Sequence, residues 1–321
     1  MRDKLLGGLF RQLEKYKGAL PASWSRMAML ERCPRQWDLR YRKGLKEQDM
    51  PAADITDLTN TRAGKAIHWV LEKSVRSSAD LGRDGRSCYD VFFNHVHEVE
   101  EDARVLERLD MLREPSLQVL RRVMAFAGAS TTFHTEKRLR ITRSGNAVPN
   151  CSWAGTGWNG VVDLEIERRD TLLILDYKSE AYSEERERAT RLQTGMYAYA
   201  EMLRRPELRE VVTGCAYLMS NDIRLDEPFR REEFLVLRRQ VHGLFSRYLD
   251  LLESGTAEPR PSRYCKYCGF AKDCPALGET DGTKSDEEDE AGKSTQTGGH
   301  KAVVAEGDAP GMAHASAADK S

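Results

Sequence analysis

The sequence lacks several features that would assign it to a functional class at once. No run approaches 18 apolar residues, the length that spans a bilayer, so neither a membrane segment nor a membrane partner is expected. Residues 1–20 hold basic side chains but no apolar core or small-residue cleavage site of a secretory signal, so a cytoplasmic location is expected. An ATP-binding loop is also missing: Ala291–Ser294 ends like one, but glutamate occupies position 287, where the first glycine belongs.

Net charge is almost absent from the whole chain, but it is unevenly distributed. The chain holds 50 Lys and Arg against 51 Asp and Glu, and residues 277–321 contribute four of the former and ten of the latter. That segment is rich in small and polar residues without apolar periodicity, which predicts a disordered acidic tail. The remaining 276 residues are mildly basic, which suits a phosphate-rich ligand and equally suits a solvated basic face.

The cysteines are too few and too irregular for a disulfide framework. There are seven, an odd number, at positions 33, 88, 151, 215, 265, 268 and 274. Cys265, Cys268 and Cys274 form a C-x2-C-x5-C pattern, and Cys33 lies in a Cys-Pro-Arg segment far upstream. Four such thiolates fit zinc or an iron–sulfur cluster, and the spacing alone slightly favours zinc. The others fit no ligand spacing, and Cys215 is expected to be a small buried hydrophobic residue.

Apolar periodicity indicates strands flanked by helices on both sides of the sequence. Helical spacing predicts helices over Ser23–Tyr41, Thr61–Val75, Tyr89–Phe126 with a break at Pro115, Ser183–Arg204 and Arg231–Glu253. Alternation or short apolar runs predict strands over His134–Thr142, Val161–Glu167, Thr171–Lys178 and Val211–Met219, with Arg168–Asp170 as a hairpin connection. This order favours an α/β or α+β fold.

Two carboxylates and a lysine are expected to meet at one end of the predicted sheet. Asp176 and Lys178 are two residues apart on a strand and therefore share a face, and Asp163 lies on the strand before it. Carboxylates bind Mg²⁺ or Mn²⁺, which polarises a phosphoryl oxygen and lowers the pKa of bound water, and an ammonium offsets transition-state charge. The pattern therefore indicates phosphodiester hydrolysis, although Asp-x-Lys also occurs by chance at solvated strand ends.

These motifs resemble one nuclease family. Gly64-x-x-x-His68, Gly160-x-x-Asp163, Asp176-Tyr177-Lys178 and Gln193-x-x-x-Tyr197 occur in the order found in the PD-(D/E)XK nuclease superfamily. They are most similar to the exonuclease domain of bacterial RecB and AddB recombination nucleases and to the related CRISPR-associated nuclease. The proline that names the superfamily is replaced by Val162, a departure that is common within this branch.

The resemblance implies a fold and a set of site residues. The fold would be a restriction-endonuclease-like core, with a mixed central sheet flanked by helices. His68, Asp163, Asp176 and the Tyr177 carbonyl would bind the metal, and Lys178 would be the catalytic lysine. Gln193 and Tyr197 would lie beside the site, contacting DNA or positioning Lys178. Glu136, on the strand before the hairpin, is a weaker candidate.

The resemblance also replaces zinc with a [4Fe–4S] cluster on Cys33, Cys265, Cys268 and Cys274, which would join the two ends of the nuclease domain. The predicted organisation is an N-terminal helical extension (1–22), the nuclease domain (23–276) and the tail (277–321). The implied function is Mg²⁺- or Mn²⁺-dependent exonuclease action on single-stranded DNA or duplex ends in recombination, repair or phage DNA metabolism. A helicase or a recombination protein is the implied candidate partner. Alternatives are a nuclease that trims DNA for CRISPR adaptation and a non-catalytic iron–sulfur partner of a helicase.

Overall fold

A computed structural model describes residues 2–46, 55–81, 84–126, 131–149, 152–255, 257–262, 265 and 268–276. The predicted acidic tail and Cys151 lie outside these residues. Among the helices described, none has both the length and the apolar content needed to cross a bilayer.

The N-terminal part is helical. Helix α1 (Lys4–Leu13) begins where the Asp3 carboxylate accepts hydrogen bonds from the N–H groups of Leu5 and Leu6. Helices α2 (Trp24–Arg32) and α3 (Pro34–Trp37) follow, and a π-helical turn continues over Asp38–Arg42.

The prediction of one continuous helix over Ser23–Tyr41 was therefore wrong at Cys33. Pro34 has no N–H group and disfavours a helical conformation in the residue before it. Cys33 is accordingly extended, with φ −154° and ψ 103°, and separates α2 from α3.

Three long helices come next: α4 (Ile55–Leu81), α5 (Gly85–Val99) and α6 (Ala103–Ala125). The predicted break at Pro115 was wrong, because the chain breaks before α6, where Asp102 caps the helix, and Pro115 lies inside it. A proline forfeits one backbone hydrogen bond. Burial of apolar side chains on both sides of it, such as Leu112 and Leu117, offsets that loss.

The sheet contains strands β1 (Thr131–Thr142), β2 (Ala147–Val148), β3 (Thr156–Arg168), β4 (Thr171–Lys178), β5 (Glu210–Tyr217), β6 (Asp222–Leu225) and β7 (Phe229–Arg230). Their order is β2-β1-β3-β4-β5-β6, and β7 also pairs with β5. The β4–β5 pair is parallel and the other pairs are antiparallel. Helix α7 (Glu184–Arg204) connects β4 to β5, and α8 (Phe234–Glu253) follows the last strand. The predicted hairpin at Arg168–Asp170 is confirmed.

Each face of the sheet is covered by helices. One apolar cluster joins residues of α1, α7 and α8 to the sheet, including Phe10, Tyr199 and Phe245. The other joins α4, α5 and α6 to the opposite face, including Ile67 and Phe93. This is a mixed α/β architecture with a central sheet between helical layers, as the restriction-endonuclease-like expectation requires.

Strand β3 changes face at Asp163. Side chains two residues apart on a regular strand point to the same side. Val162, however, packs in the cluster beneath α7, whereas Leu164 packs in the cluster beneath α4 to α6.

Strand β1 changes face at the same level. Leu139 belongs to the cluster beneath α7, and Phe133 packs against the other one. Between them Glu136 has φ 49°, the left-handed region that residues other than glycine rarely adopt. Its place in the register, between the pairs formed by Thr135 and Lys137, is opposite Asp163. The irregular backbone of β1 and the switch in β3 therefore coincide.

Candidate active site

The two predicted metal carboxylates lie where strands β3 and β4 separate. Their antiparallel register ends at the pair Leu164–Leu175, so Asp163 and Asp176 occupy the next positions without pairing. Instead, the Tyr177 N–H donates to Asp163 Oδ2 at 2.7 Å. N–H and C=O of one strand residue point to the same side, so the Tyr177 carbonyl also faces Asp163.

Asp176 is the buried centre of the site, with 3% of its surface exposed. Its Oδ1 accepts a hydrogen bond from Gln193 Nε2 at 3.1 Å, and its Oδ2 lies 2.5 Å from Lys178 Nζ. Burial raises the pKa of Asp176, and the Lys178 charge partly opposes that rise. Burial lowers the pKa of Lys178, but the Asp176 charge outweighs it and the net pKa is raised. Lys178 is therefore a protonated, half-buried cation.

Helix α4 supplies the predicted histidine. His68 Nδ1 lies 3.6 Å from Asp163 Oδ2, and its ring meets the Tyr177 ring edge-on at 5.8 Å. Burial lowers the pKa of His68, but the adjacent Asp163 carboxylate and the Asp176 charge outweigh it and raise the net pKa. Gly64 allows this approach, because a Cβ there would come 2.8 Å from Ser179 Oγ. This contact gives a physical reason for glycine four residues before the histidine.

Helix α7 supplies Gln193 and Tyr197. Gln193 Nε2 donates to Asp176 Oδ1 and, at 2.7 Å, to the Tyr197 hydroxyl. Gln193 therefore contacts Asp176 rather than Lys178. The Tyr197 ring packs over Gly160, where a Cβ would come 2.6 Å from Tyr197 Cε1 and 2.8 Å from the Trp158 ring. The glycine of Gly-x-x-Asp therefore makes room for two buried rings.

Two further carboxylates lie near the site. Burial and the charges of Asp163 and Glu72 raise the pKa of Glu136. Glu72 had not been identified from the sequence, although it follows His68 by four residues and therefore shares its face of α4. Glu136, Asp163 and Asp176 occupy one row across β1, β3 and β4, which only the register reveals.

The site opens into a cavity of about 270 Å³ between α4 and the end of β4, lined in part by His68, Tyr177 and Lys178. A larger cavity of about 570 Å³ lies between α7 and α8. It is lined by residues such as Met196 and Val241 and by none of the predicted site residues. The cavity at the end of β4 is therefore the one relevant to the predicted chemistry.

The donor set of this site suits a divalent cation. Asp163 and Asp176 offer carboxylate oxygens, His68 an imidazole nitrogen and Tyr177 a carbonyl oxygen. Asp176 Oδ2 is buried beside the Lys178 ammonium, so a single lysine stands against the carboxylates of Asp163 and Asp176. The negative charge that this leaves near a buried group favours a cation at this place. The residues therefore fit the implied metal.

A tighter group of ligand atoms occurs elsewhere. In the described part of the chain, His134, Glu165 and Glu167 are the group whose ligand atoms all lie within 4.8 Å of one another, so the predicted ligands are spread more widely. Both carboxylates of this group already contact cations: Glu165 contacts Lys137, and Glu167 lies 2.7 Å from Arg205 Nη1.

His134 shares this environment. Burial and the Lys137 charge lower the pKa of His134. This arrangement is a salt-bridge network that a metal would have to disrupt. We therefore favour the site at Asp163 and Asp176 as the metal site, because there one lysine faces several carboxylates.

The four predicted cluster cysteines are free thiols, each partly exposed. Burial raises the pKa of Cys268, as do the neighbouring Cys33, Cys274 and Cys265. The two ends of the domain also touch, because Arg260 Nη1 donates to the Glu31 carbonyl at 2.6 Å. Cys215 is buried in β5, as expected.

Comparisons with known proteins identify the family. No curated protein matches the chain. Nine chains of solved structures do, among them the crystal structure of SSO0001, which is 15% identical with a TM-score of 0.28 and covers 70% of this chain and 97% of its own. The family model of the PD-(D/E)XK nuclease superfamily matches residues 21–275. The chain therefore belongs to the PD-(D/E)XK nuclease superfamily.

Proposed function

We propose that this protein is a metal-dependent deoxyribonuclease of the exonuclease type. The observation that carries the proposal is the meeting of Asp163, Asp176 and Lys178 where β3 and β4 separate, with His68 3.6 Å from Asp163. Carboxylates, an imidazole and one ammonium are the groups that metal-assisted phosphodiester hydrolysis requires. Membership of the superfamily supports nuclease chemistry, whereas the exonuclease mode and DNA as substrate are part of the proposal.

His68, Asp163, Asp176 and the Tyr177 carbonyl would hold Mg²⁺ or Mn²⁺. When bound, the ion polarises the phosphoryl oxygen and makes a water molecule more acidic. Glu136 is a further candidate ligand, because it lies opposite Asp163 in the row of carboxylates. The Tyr177 N–H holds the Asp163 carboxylate in place through its 2.7 Å hydrogen bond.

Lys178 supplies positive charge at the site. Its raised pKa keeps the ammonium protonated, so it can offset negative charge that develops on the phosphate and hydrogen-bond a reacting oxygen. Gln193 orients Asp176 through Oδ1, and Tyr197 orients Gln193 in turn. Such supporting contacts hold catalytic groups in a productive geometry.

We also propose that the chain belongs to the RecB/AddB-like branch and holds a [4Fe–4S] cluster on its four neighbouring cysteines. The effect of Cys33, Cys265 and Cys274 on the pKa of Cys268 supports the proposal that the four sulfur atoms share one neighbourhood. Anaerobically purified protein should be brown and contain iron and acid-labile sulfide, and Cys33→Ser should lose both. Colourless protein with one zinc per chain would contradict the cluster and leave the nuclease proposal standing.

The biological setting we propose is processing of DNA ends in recombination, repair or phage DNA metabolism, with a helicase as a candidate partner. CRISPR adaptation is the alternative setting for the same chemistry. End-specific action distinguishes this enzyme from an endonuclease: linear single strands should be degraded while circular single strands of the same sequence persist.

The decisive experiment incubates end-labelled single-stranded DNA, duplex DNA and RNA of one sequence with protein and Mg²⁺ or Mn²⁺. We expect DNA cleavage that EDTA abolishes and that Lys178→Met reduces by at least about 100-fold. Lys15→Met, which removes an exposed lysine remote in sequence from every site motif, is the control and should cleave normally. Absence of cleavage by the unsubstituted protein, or equal cleavage by Lys178→Met, refutes the proposal.

A further inference from the structure

The cavity beside Lys178 has a second wall that the metal chemistry does not use. This wall is the N-terminal half of α4, which contributes Asn60, Thr61 and Lys65. Thr61, Lys65 and His68 are spaced i, i+4 and i+7 and therefore follow one stripe of the helix. The stripe leads from the metal-binding histidine outward along the cavity.

Some charged residues that line this cavity already form ion pairs within the protein, and others do not. Lys178 is paired with Asp176, and the Glu180 carboxylate pairs with Arg186 at 3.0 Å. Lys65 is exposed, and within the described residues no carboxylate lies within 4.0 Å of its ammonium. Lys65 is therefore the cation of the cavity that is free to meet an anionic ligand.

Size and chemistry restrict what fits. At about 270 Å³ the cavity lies just below the ~300–1,000 Å³ of pockets for drug-sized molecules, so it is too small for a base pair. A cation beside a hydroxyl and an amide side chain matches a phosphate with its sugar, the groups that position a nucleic acid without reading its sequence.

We propose that this cavity binds the phosphate and sugar of a single nucleotide next to the scissile linkage of a single strand. Lys65 contacts the phosphate, and Asn60 and Thr61 hydrogen-bond the sugar-phosphate backbone. The inference rests on the proposed nuclease function and adds a binding residue, Lys65, at a position that the Gly64-x-x-x-His68 motif leaves unspecified. It predicts sequence-independent positioning of the strand, because no base edge is contacted.

The test measures binding of a fluorescent single-stranded oligonucleotide in EDTA, where no turnover occurs, over a range of salt concentrations. Lys65→Ala should bind about tenfold more weakly, as expected for one lost charge-assisted contact. Its slope of log affinity against log salt should become shallower by about 0.7, the value for one phosphate contact on a single strand. Lys65→Arg should restore the slope.

Arg76→Ala is the matched control, since it removes an exposed cation from the same helix eleven residues further on. It should leave the slope unchanged. With Mg²⁺, Lys65→Ala should raise KM more than it lowers kcat.

Unchanged affinity and slope in Lys65→Ala, an equal loss on a blunt duplex, or no binding by the unsubstituted protein overturns the inference. If the Lys65 effect on binding persists but the unsubstituted protein cleaves nothing, the nucleotide site stands and the proposed function fails.

Discussion

Two groups of charged residues share strand β3, and their charge balance differs. Near its middle, Asp163 belongs to the row of Glu136, Asp163 and Asp176, which faces Lys178 and His68. Two residues on, Glu165 belongs to a salt-bridge network with Glu167, Glu201, Lys137, Arg204, Arg205 and His134. The first has three carboxylates for one lysine, and the second has three carboxylates for three cations.

The difference separates the proposed metal-binding site from a structural network. Glu201 is fully buried, but it contacts Lys137 at 3.2 Å, Arg204 at 2.5 Å and Arg205 at 3.0 Å. Its charge is met within the protein. The row at Asp163 has an excess of negative charge that a divalent cation would neutralise. If the metal site were chosen only by how close the acidic side chains are, the choice would be the salt-bridge network. The number of neighbouring cations favours the row at Asp163 instead, because its carboxylates are less fully neutralised.

Neutralising one carboxylate in each region should have opposite consequences, and the loss of activity in the row is the largest expected effect. Asp176→Asn should reduce DNA cleavage by at least about 100-fold because a metal carboxylate is lost. The metal-free variant should be at least as stable as the unsubstituted protein, since burial already raises the pKa of this carboxyl and favours its neutral form. Cleavage assays and urea unfolding in EDTA measure the two effects. Retained cleavage would place the metal elsewhere.

In the network, the same kind of change should cost stability. Glu201→Gln removes a buried charge that three cations contact, and breaking such a group costs about 3–5 kcal/mol of unfolding free energy. At a temperature where the variant is folded, it should cleave DNA within a few-fold of normal. Urea unfolding tests the first statement. A variant that is stable but inactive would assign the network to catalysis.

The support that α7 gives to the carboxylate row through Tyr197 and Gln193 can be tested at Gly160. Gly160→Ala places a Cβ against the buried Tyr197 and Trp158 rings, and overpacking of this kind costs about 1–3 kcal/mol. Displacing Tyr197 should also lower activity, because Tyr197 holds Gln193 and Gln193 holds Asp176. Val162→Ala, two residues further along β3, is a control that shortens a core side chain in the same strand. It should lose stability with little loss of activity per folded molecule.

The smallest effects are expected from the two histidines, whose pKa values move in opposite directions. The His134 pKa is lowered by burial and Lys137, so the native state binds fewer protons than the unfolded state just below pH ~6.5. In that window His134 makes the unfolding free energy rise with pH. The His68 pKa is raised by Asp163 and Asp176 despite burial, so its stabilisation is present below pH ~6.5 and is lost as pH rises through its folded pKa.

Urea unfolding of the metal-free protein between about pH 5 and 8 checks the two predictions for His134 and His68. His134→Gln should make stability less dependent on pH below ~6.5, and His68→Gln should do so above it. Changes of the same sign in both variants would contradict the described environments.

The sequence by itself determined much of the organisation. Alternation and turn residues placed the β3–β4 hairpin, and the period of two put Asp176 and Lys178 on one face. Helical spacing put Gln193 beside Tyr197. These are local relations, fixed by strand and helix geometry, so they follow from spacing in the chain.

Only the tertiary structure decided the rest. Pro115 stays inside α6 because packing on either side outweighs one lost hydrogen bond. The face switch of β3 at Asp163 coincides with the left-handed backbone at Glu136 on the neighbouring strand, which no pattern within β3 reveals. Helical spacing puts Arg204 and Arg205 beside Glu201, but the contacts of Lys137 with Glu201 and Glu165 are invisible in sequence, because Lys137 comes from a separate strand. Charge balance is a property of the packed core, and it decides where on β3 a metal can bind.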